Sequence, residues 1–297
     1  MDSVISIRNL TKNYGKYRAI EDINLDVMRG EIFGYLGPNG AGKTTTIRTL
    51  LDFIRPTKGS VTVLDLDSRT DSRQIRKRIG YLPGDIGLYE KMTGRQLLKY
   101  IDGLRGGLDW HFVRQLTERF EANIDQPIRT LSRGNKQKIG LMQAFMHTPE
   151  LIIMDEPTNG LDPLMQQEFY RLVEEMNKKG ATIFISSHIV PEIERLCSKV
   201  GIIRKGKLVA VEEVEKLKEK AIRKITFVFD EPVSKEEFEN LPGVRDIEVE
   251  GNALKCTIKG TVDALVKAAG MHKVIKIISA DGNLEEIFLD FYAVGNK

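Results

Sequence analysis

Residues 37–44, which read GPNGAGKT, constrain the fold of this chain more than any other stretch. They fit the spacing G-x-x-x-x-G-K-[ST], in which backbone N–H groups of a glycine-rich loop converge on phosphate oxygens at a helix N-terminus. The apolar run EIFGYL precedes the loop, and TTTIRTLLDFI follows it with apolar residues at helical spacing. Because a strand, a loop and a helix follow in this order, an ordinary glycine turn is the weaker interpretation. The sequence predicts a site for nucleotide phosphates.

Within this loop we expect side chains and backbone to have separate roles. Lys43 would reach the β- and γ-phosphates, and the Thr44 hydroxyl would take one Mg²⁺ position. The glycines keep side chains away from the backbone that faces the phosphates. The predicted nucleotide-binding residues of the loop are Gly37, Pro38, Asn39, Gly40, Ala41, Gly42, Lys43, Thr44 and Thr45.

A second motif, LIIMDEP at 151–157, is an apolar run that ends in two acids and a proline. This pattern is typical of a buried strand that ends in carboxylates. In a phosphate-loop protein such a strand end supplies an acid to Mg²⁺, here Asp155. Glu156 lies one residue outside the apolar run, where it could accept a proton from the water that attacks the γ-phosphate. The alternative is a solvated loop, which leaves two acids at the end of an apolar strand unexplained.

Three further side chains each have a structural and a functional interpretation. Tyr14 precedes the phosphate loop and either stacks on an adenine or packs in a half-buried position. His188 ends the apolar run ATIFISSH, and a histidine at such a strand end is either structural or a contact for the γ-phosphate. Ser132 precedes an amphipathic helix, which it would cap, and the N-terminus of that helix would favour an anion.

Composition limits the class of protein. The 297 residues suffice for one large domain or two smaller ones, and two are favoured. A formal charge of +3 is too balanced to indicate a nucleic-acid surface or a polybasic anchor. Cys197 and Cys256 lack metal-ligand spacing, which indicates reduced thiols of a cytoplasmic protein. No stretch of about 18 apolar residues occurs, so we expect a soluble chain that acts at a membrane only through a separate protein.

The pattern of elements predicts two domains. Residues 1–212 alternate strands and helices around the loop and contain a helical insert at about 85–148. A charged helical linker, 213–221, leads to residues 222–297, which read as a split βαββαβ unit followed by one helix. This second domain has no catalytic motif, and we interpret it as a docking or regulatory domain. Its last helix carries an apolar stripe, which either covers the domain's own sheet or contacts the first domain or a second subunit. The stripe comprises Leu284, Ile287, Phe288 and Phe291.

Taken together, GPNGAGKT, LSRGNKQ, LIIMDEP, NGLDP and His188 resemble the nucleotide-binding subunits of ATP-binding-cassette (ABC) transporters over residues 4 to about 212. LSRGNKQ is similar to the signature of this class, and NGLDP resembles the loop that crosses its dimer interface. The single cassette, the stretch IGYLPGDIGLYEKMT and the ending LEEIFLDFY are most similar to the exporter subclass that handles drugs, antibiotics or ions. The fold that this resemblance implies is an α/β P-loop ATPase domain with a β-rich N-terminal part, followed by a small α+β, ferredoxin-like domain.

The resemblance also implies ATP and Mg²⁺ as cofactors and a head-to-tail homodimer. Each ATP would lie between the phosphate loop of one subunit and the signature of the other. The helix N-terminus at Ser132 and Gly134 would then face the partner's γ-phosphate, and Asp162 would touch the partner site. Tyr14 would stack on adenine, and His188 would sense the γ-phosphate. A separate membrane-spanning permease would hold this cytoplasmic protein at the inner face of the cell membrane.

Two departures from the family pattern concern residues near the expected site. The family usually has a glutamine after the strand that resembles IGYLP, where this chain has Gly84 and then Asp85. Our hypothesis is that Asp85, directly or through a water, supplies the missing polar contact. The signature has Arg133 where glycine is commonest and Asn135 where glutamine is commonest. These changes leave the helix N-terminus intact and bear on how tightly the dimer closes.

We therefore predict an ATPase subunit that powers export through a separate membrane protein. One alternative is a soluble cassette ATPase of translation or DNA repair. Such translation factors usually join two cassettes, and such repair proteins carry long coiled-coil inserts, neither of which occurs in this sequence. A second alternative is an ATP-gated binding module, in which the C-terminal domain recognises a ligand.

Overall fold

A computed structural model describes residues 2–220, 222–280 and 288, and the chain divides into two compact units, 1–211 and 212–297. Each unit has a hydrophobic core of its own. The segment 213–221, predicted as a linker, lies in the second unit, where Val214–Lys220 form helix α8. Among the described residues, no helix is both long enough and apolar enough to cross a membrane.

An antiparallel sheet of four strands opens the first unit. Its first two strands are longer than the short runs that the sequence suggests, because the polar residues around Gly15 pair across a tight turn. Tyr14 faces Tyr17 in this pairing, and Gly15 takes the positive φ of 58° that the turn requires. The strands, in the spatial order β2-β1-β4-β5, are β1 (Ser3–Tyr14), β2 (Tyr17–Met28), β4 (Lys58–Val63) and β5 (Leu66–Asp67).

A six-stranded sheet lies at the centre of the fold, in the order β10-β9-β3-β8-β7-β6. From β9 to β6 neighbouring strands are parallel. Every residue of β3, β7 and β8 is buried, which explains their continuous apolar runs, since a parallel sheet is covered on both faces. The strands are β3 (Ile32–Leu36), β6 (Ile79–Leu82), β7 (Leu151–Asp155), β8 (Thr182–Ser187), β9 (Lys199–Arg204) and β10 (Lys207–Glu213).

Four helices of the first unit, α3 to α6, begin at side-chain caps. Thr93 and Gln96 form a capping box at the start of α3, and Ser132 and Asp162 cap α5 and α6. Helices α3, α4 and α5 lie within residues 85–148, the range predicted as a helical insert. The bounds are α1 (Lys43–Leu50), α2 (Ser72–Arg78), α3 (Gly94–Arg105), α4 (Trp110–Arg119), α5 (Arg133–Phe145), α6 (Pro163–Lys178) and α7 (Val190–Leu196).

The second unit contains an antiparallel sheet in the order β12-β13-β11-β14, which is the topology of a split βαββαβ unit. The predicted α/β and α+β fold classes are thus confirmed. Aromatic residues fill its core, with Phe227, Phe229 and Phe238 each at most 2% exposed. Of the predicted apolar stripe, only Phe288 lies among the described residues, where it is helical and buried. The elements after α8 are β11 (Ile222–Phe229), α9 (Glu236–Glu239), β12 (Val244–Glu250), β13 (Ala253–Lys259), α10 (Asp263–Ala269) and β14 (Val274–Ala280).

Candidate functional site

The sheet topology brings the predicted motifs to one edge. Strand β3 pairs in parallel with β8, and β8 pairs in parallel with β7. The phosphate loop follows β3, the two acids end β7, and His188 follows β8. Because the carboxyl ends of parallel strands meet at one edge of a sheet, these three segments lie side by side.

The phosphate loop presents an uncapped helix N-terminus. Helix α1 begins at Lys43, and no side chain caps it. The first N–H groups of a helix have no acceptor within it, so here they are available to an anion. At the N-cap, Gly42 has φ 110°, and a Cβ there would lie 2.9 Å from the Ala19 carbonyl oxygen. Only glycine fits this close approach of two backbone segments.

The ammonium group of Lys43 is buried and already surrounded by oxygen atoms. The side chain is 5% exposed, and its Nζ donates to the carbonyl oxygens of Gly37 (2.6 Å) and Pro38 (3.3 Å). Nζ also lies 3.1 Å from Glu156 Oε1. A buried charge requires such partners, and a phosphate is one that could take their place. The geometry is therefore suited to an anion that enters the loop.

The two predicted metal ligands are in direct contact. The Thr44 hydroxyl donates to Asp155 Oδ2 (2.6 Å), and the Ser186 hydroxyl donates to Asp155 Oδ1. A hydroxyl and a carboxylate are the hard oxygen ligands that Mg²⁺ prefers, and Mg²⁺ usually completes its shell with waters and substrate phosphates. The described ranges contain no group of three or more His, Cys, Asp or Glu side chains that could hold a metal ion without other ligands. The residues present fit Mg²⁺.

Glu156 occupies an unusual backbone position between two strands. Its φ is 52°, in the left-handed region that few residues other than glycine adopt, and its N–H donates to Ser186 O (2.9 Å). Its carboxylate contacts Lys43 on one side, and Oε2 lies 2.6 Å from His188 Nδ1 on the other. The Glu156 side chain is 13% exposed, and its Oε1 atom is buried. The carboxylate is thus oriented by two neighbours, as a general base must be.

Several of the predicted residues line a cavity beside the phosphate loop. Tyr14 lies at its wall with a side chain 47% exposed, so its ring is accessible for stacking. Tyr17, which is 63% exposed, and Ala19 also line the cavity, and the sequence analysis missed both. The signal for Tyr17 was its place in the same polar turn as Tyr14. The lining residues are Tyr14, Tyr17, Ala19, Asn39, Gly40, Gly42, Lys43, Thr44, Thr45 and Glu156.

The predicted signature residues form a separate group. The Ser132 hydroxyl accepts a hydrogen bond from Asn135 N (3.2 Å), and the Asp162 carboxylate accepts from the first-turn N–H groups of α6. Neither residue lines the cavity beside the phosphate loop, and Gly134 does not either. A single chain therefore does not bring the signature to its own phosphate loop.

Helix α5 is nevertheless packed against the segment that follows β7. Gln137 is 4% exposed, and its Nε2 donates to Pro157 O (2.7 Å). A Cβ at Gly134 would lie 2.7 Å from the Gly160 carbonyl oxygen, so this position admits no larger residue without movement. The signature helix and residues 156–162 therefore form one packed assembly, which the sequence analysis did not foresee.

The loop after β6 lies against Asp155, a predicted metal ligand. A Cβ at Gly84 would lie 3.1 Å from Asp155 Oδ2, so the family's usual glutamine would crowd this carboxylate in the present arrangement. Asp85 is exposed and lines a second pocket together with Arg133 and Gln137 of α5. The role assigned to Asp85 stays a hypothesis.

Comparisons with known proteins agree with this geometry. The model of the family described as ABC transporter matches residues 20–159. The bacitracin transport ATP-binding protein BcrA of Bacillus licheniformis is 34% identical over 304 residues, covering 99% of this chain and 99% of that protein. A solved structure of the ATP-binding subunit of an ABC transporter is 29% identical, with a TM-score of 0.68 over 73% of this chain and 92% of its own. The dimeric structure of a bacterial ABC transporter cassette shares the fold, with a TM-score of 0.65 at 21% identity over 71% of this chain and 98% of its own.

The relative from Bacillus licheniformis matches both units, whereas each of the two solved structures matches about the length of the first unit. The phosphate loop contacts both acids at the end of β7, and the histidine after β8 contacts the second of them. The interpretation as a translation or DNA-repair ATPase has no support among these findings. The chain belongs to the ABC transporter family, as an ATP-binding and ATP-hydrolysing subunit of the exporter type.

Proposed function

We propose that this ATPase powers the export of a drug, an antibiotic or an ion through a separate membrane-spanning permease, which holds it at the cytoplasmic face of the membrane. The observation that supports this proposal most is the match to a bacitracin transport protein along 99% of both chains. A match of that extent includes the second unit, so the similarity is not limited to the ATPase cassette. The transported compound would be recognised by the permease.

In this proposal each residue of the site has a separate role in ATP hydrolysis. The N–H groups of the loop and Lys43 bind the phosphates and hold the γ-phosphate in place. Glu156 accepts the proton of the attacking water, and His188 orients the Glu156 carboxylate and contacts the γ-phosphate. Thr44 and Asp155 would hold Mg²⁺, which when bound neutralises charge on the phosphate oxygens. The Ser186 hydroxyl fixes the Asp155 carboxylate from the other side.

We further propose that two copies of the chain complete each site. Ser132 and Gly134 lie apart from the phosphate-loop cavity of their own chain, and the N-terminus of α5 is suited to an anion. A head-to-tail pair would place this helix end, together with Asp162, at the γ-phosphate of the partner. The dimeric structure of a bacterial ABC transporter cassette, which shares the fold, supports this proposal.

The proposal is tested by purifying the tagged chain from detergent-solubilised membranes of its native host. A polytopic membrane protein that co-purifies in a stoichiometric amount, and that raises ATPase activity on reconstitution, is the expected result. The matched control is the Lys43→Ala variant, which should co-purify with the same partner but show no stimulated hydrolysis. Recovery of ribosomes or DNA in place of a membrane protein would contradict the proposal.

A further inference from the structure

Helix α7 contains a buried carboxyl group that none of the roles above uses. Glu192 is 1% exposed and lies five residues after the end of β8. Its Oε2 accepts a hydrogen bond from the Ser187 hydroxyl at 2.5 Å. No lysine or arginine pairs with it in the part of the chain that the structure describes. Burial of an acid without a cation costs folding free energy, so the presence of Glu192 at this position requires an explanation.

This cost appears as a raised pKa of the Glu192 carboxyl group. Burial and, to a smaller extent, the charge of Glu156 together raise the pKa of Glu192 to about 7, against the opposing effect of the Ser187 and Thr158 hydroxyls. Other titratable groups also face it. Burial raises the pKa values of Tyr170 on α6 and of the buried Cys197, and the charge of Glu192 raises them further. An apolar residue at this position would avoid these costs.

The contacts of Ser187 show what the buried carboxyl does. The Ser187 hydroxyl donates to Glu192 and accepts from Ile189 N (3.0 Å). Its carbonyl oxygen accepts from Gly37 N (3.2 Å), the first residue of the phosphate loop. One hydroxyl therefore fixes the residues on both sides of His188, and its own direction is fixed by Glu192.

Two serines at the end of β8 and the histidine that follows them each contact one carboxyl group. Ser186 donates to Asp155, Ser187 donates to Glu192, and His188 Nδ1 lies 2.6 Å from Glu156 Oε2. His188 is 40% exposed, so little packing holds its ring in place. The direction of its side chain depends on the backbone of the turn that Ser187 and Ile189 enclose.

We propose that Glu192 is a positioning residue for ATP hydrolysis, which orders the turn from Ser187 to Ile189 through the Ser187 hydroxyl and so holds His188 against Glu156. This inference rests on the proposed roles of Glu156 and His188. Glu192 itself does not line the phosphate-loop cavity. Its loss should therefore lower turnover and leave nucleotide binding at the phosphate loop intact.

Steady-state ATPase kinetics of three variants test this step. Glu192→Ala should lower kcat at least about tenfold, a loss of roughly 1.4 kcal/mol in transition-state stabilisation, while KM for ATP stays within about twofold. Glu192→Gln should recover most of the activity, because its amide oxygen still accepts the Ser187 hydrogen bond. Glu194→Ala, half-buried on the same helix, is the matched control and should behave as wild type. Wild-type turnover of Glu192→Ala would overturn the inference, and so would a failure of Gln to rescue.

A double-variant cycle separates positioning from a general loss of structure. If Glu192 acts through His188, the double variant Glu192→Ala/His188→Ala should be no slower than His188→Ala alone. Losses that multiply would overturn the inference. Should Glu192→Ala fail to fold, Ser187→Ala removes only the linking hydroxyl and should show the same loss of kcat and the same non-additivity. Wild-type turnover of His188→Ala alone would instead refute the proposed role of His188, which distinguishes the two failures.

Discussion

At the scale of single residues, the carboxylate of Glu156 joins the phosphate loop to the end of β8. It contacts Lys43 at 3.1 Å and His188 at 2.6 Å, and its backbone adopts a positive φ of 52°. Strained backbone of this kind persists only where surrounding contacts hold it. Here the hydrogen bond from Glu156 N to Ser186 O is one such contact.

Replacement of Glu156 by Gln keeps the shape of this side chain and removes the proton acceptor. ATP should still bind, while hydrolysis falls by about 10² or more. The ATP-bound dimer should then persist, and gel filtration with ATP and Mg²⁺ should show a dimer that wild type forms only transiently. Lys43→Ala is the contrasting variant, because it removes a charge aimed at the phosphates and should weaken ATP binding itself. A monomeric Glu156→Gln, or one with full turnover, would remove Glu156 from the role of base.

The raised pKa of Glu192 predicts how stability changes with pH. The folded protein keeps a proton on Glu192 up to about pH 7, whereas an unfolded glutamate loses it near its ordinary value of 4.5. The stability from this group is therefore present below about pH 4.5 and lost as the pH rises towards 7. Glu192→Gln cannot ionise, so it should gain stability relative to wild type over this window, by at most on the order of 3 kcal/mol at about 1.4 kcal/mol per pKa unit.

Urea unfolding at pH 5 and pH 8 measures this difference, with Glu194→Gln as the control on the same helix. The gain of Glu192→Gln over wild type should be larger at pH 8. An equal gain at both pH values would mean that Glu192 does not titrate between pH 5 and pH 8.

At the scale of elements, the approach of helix α5 to the segment after β7 depends on the absence of a side chain at Gly134. A Cβ there would lie 2.7 Å from the Gly160 carbonyl oxygen, so Gly134→Ala must push the helix and the segment apart. The phosphate loop is not part of this contact. We expect ATP binding by the single subunit to be unchanged, while hydrolysis, which in the proposed dimer needs the signature of a second subunit, falls at least about tenfold.

The control for this variant is Gly103→Ala, which also places an alanine in a helix of the insert. A Cβ at Gly103 meets nothing within 4 Å, and alanine favours the helix. Fluorescent-nucleotide titration and steady-state hydrolysis of both variants separate binding from turnover. Equal turnover of Gly134→Ala and Gly103→Ala would show that the close packing of α5 is not needed for catalysis.

The same scale shows what the sequence could and could not predict. Buried parallel strands such as β7 were predictable because both of their faces are covered, which gives an unbroken apolar run. Capped helices such as α5 were predictable because Ser132 supplies a local signal. The contacts from Gln137 to Pro157 and from Ser187 to Glu192 were not, because each depends on how two elements pack after folding. The motifs thus allowed the residues of the candidate site to be proposed from the sequence, whereas the contacts that support those residues could not be predicted.

At the scale of the whole molecule, the two units differ in what they offer to function. The first holds the phosphate loop and every proposed catalytic residue. The second has its own core and the ferredoxin-like strand order, and the sequence analysis found no catalytic motif in it. We propose, from the sequence pattern, that residues 222–297 are an accessory domain that stabilises the dimer or docks it to the permease.

Deletion of the second unit tests this division. The first unit has its own core, and a solved ATP-binding subunit is matched along 92% of its length by 73% of this chain, so the cassette is expected to fold alone. A protein truncated after Ile222 should bind ATP as the full chain does, because residues 37–44 are untouched. If the second unit stabilises the dimer, the truncated Glu156→Gln variant should need more protein or more ATP to dimerise than full-length Glu156→Gln, because association has lost buried area. Light scattering across a concentration series measures the concentration needed for dimerisation. If dimerisation and co-purification of the permease are both unchanged, the second unit has neither of the proposed roles.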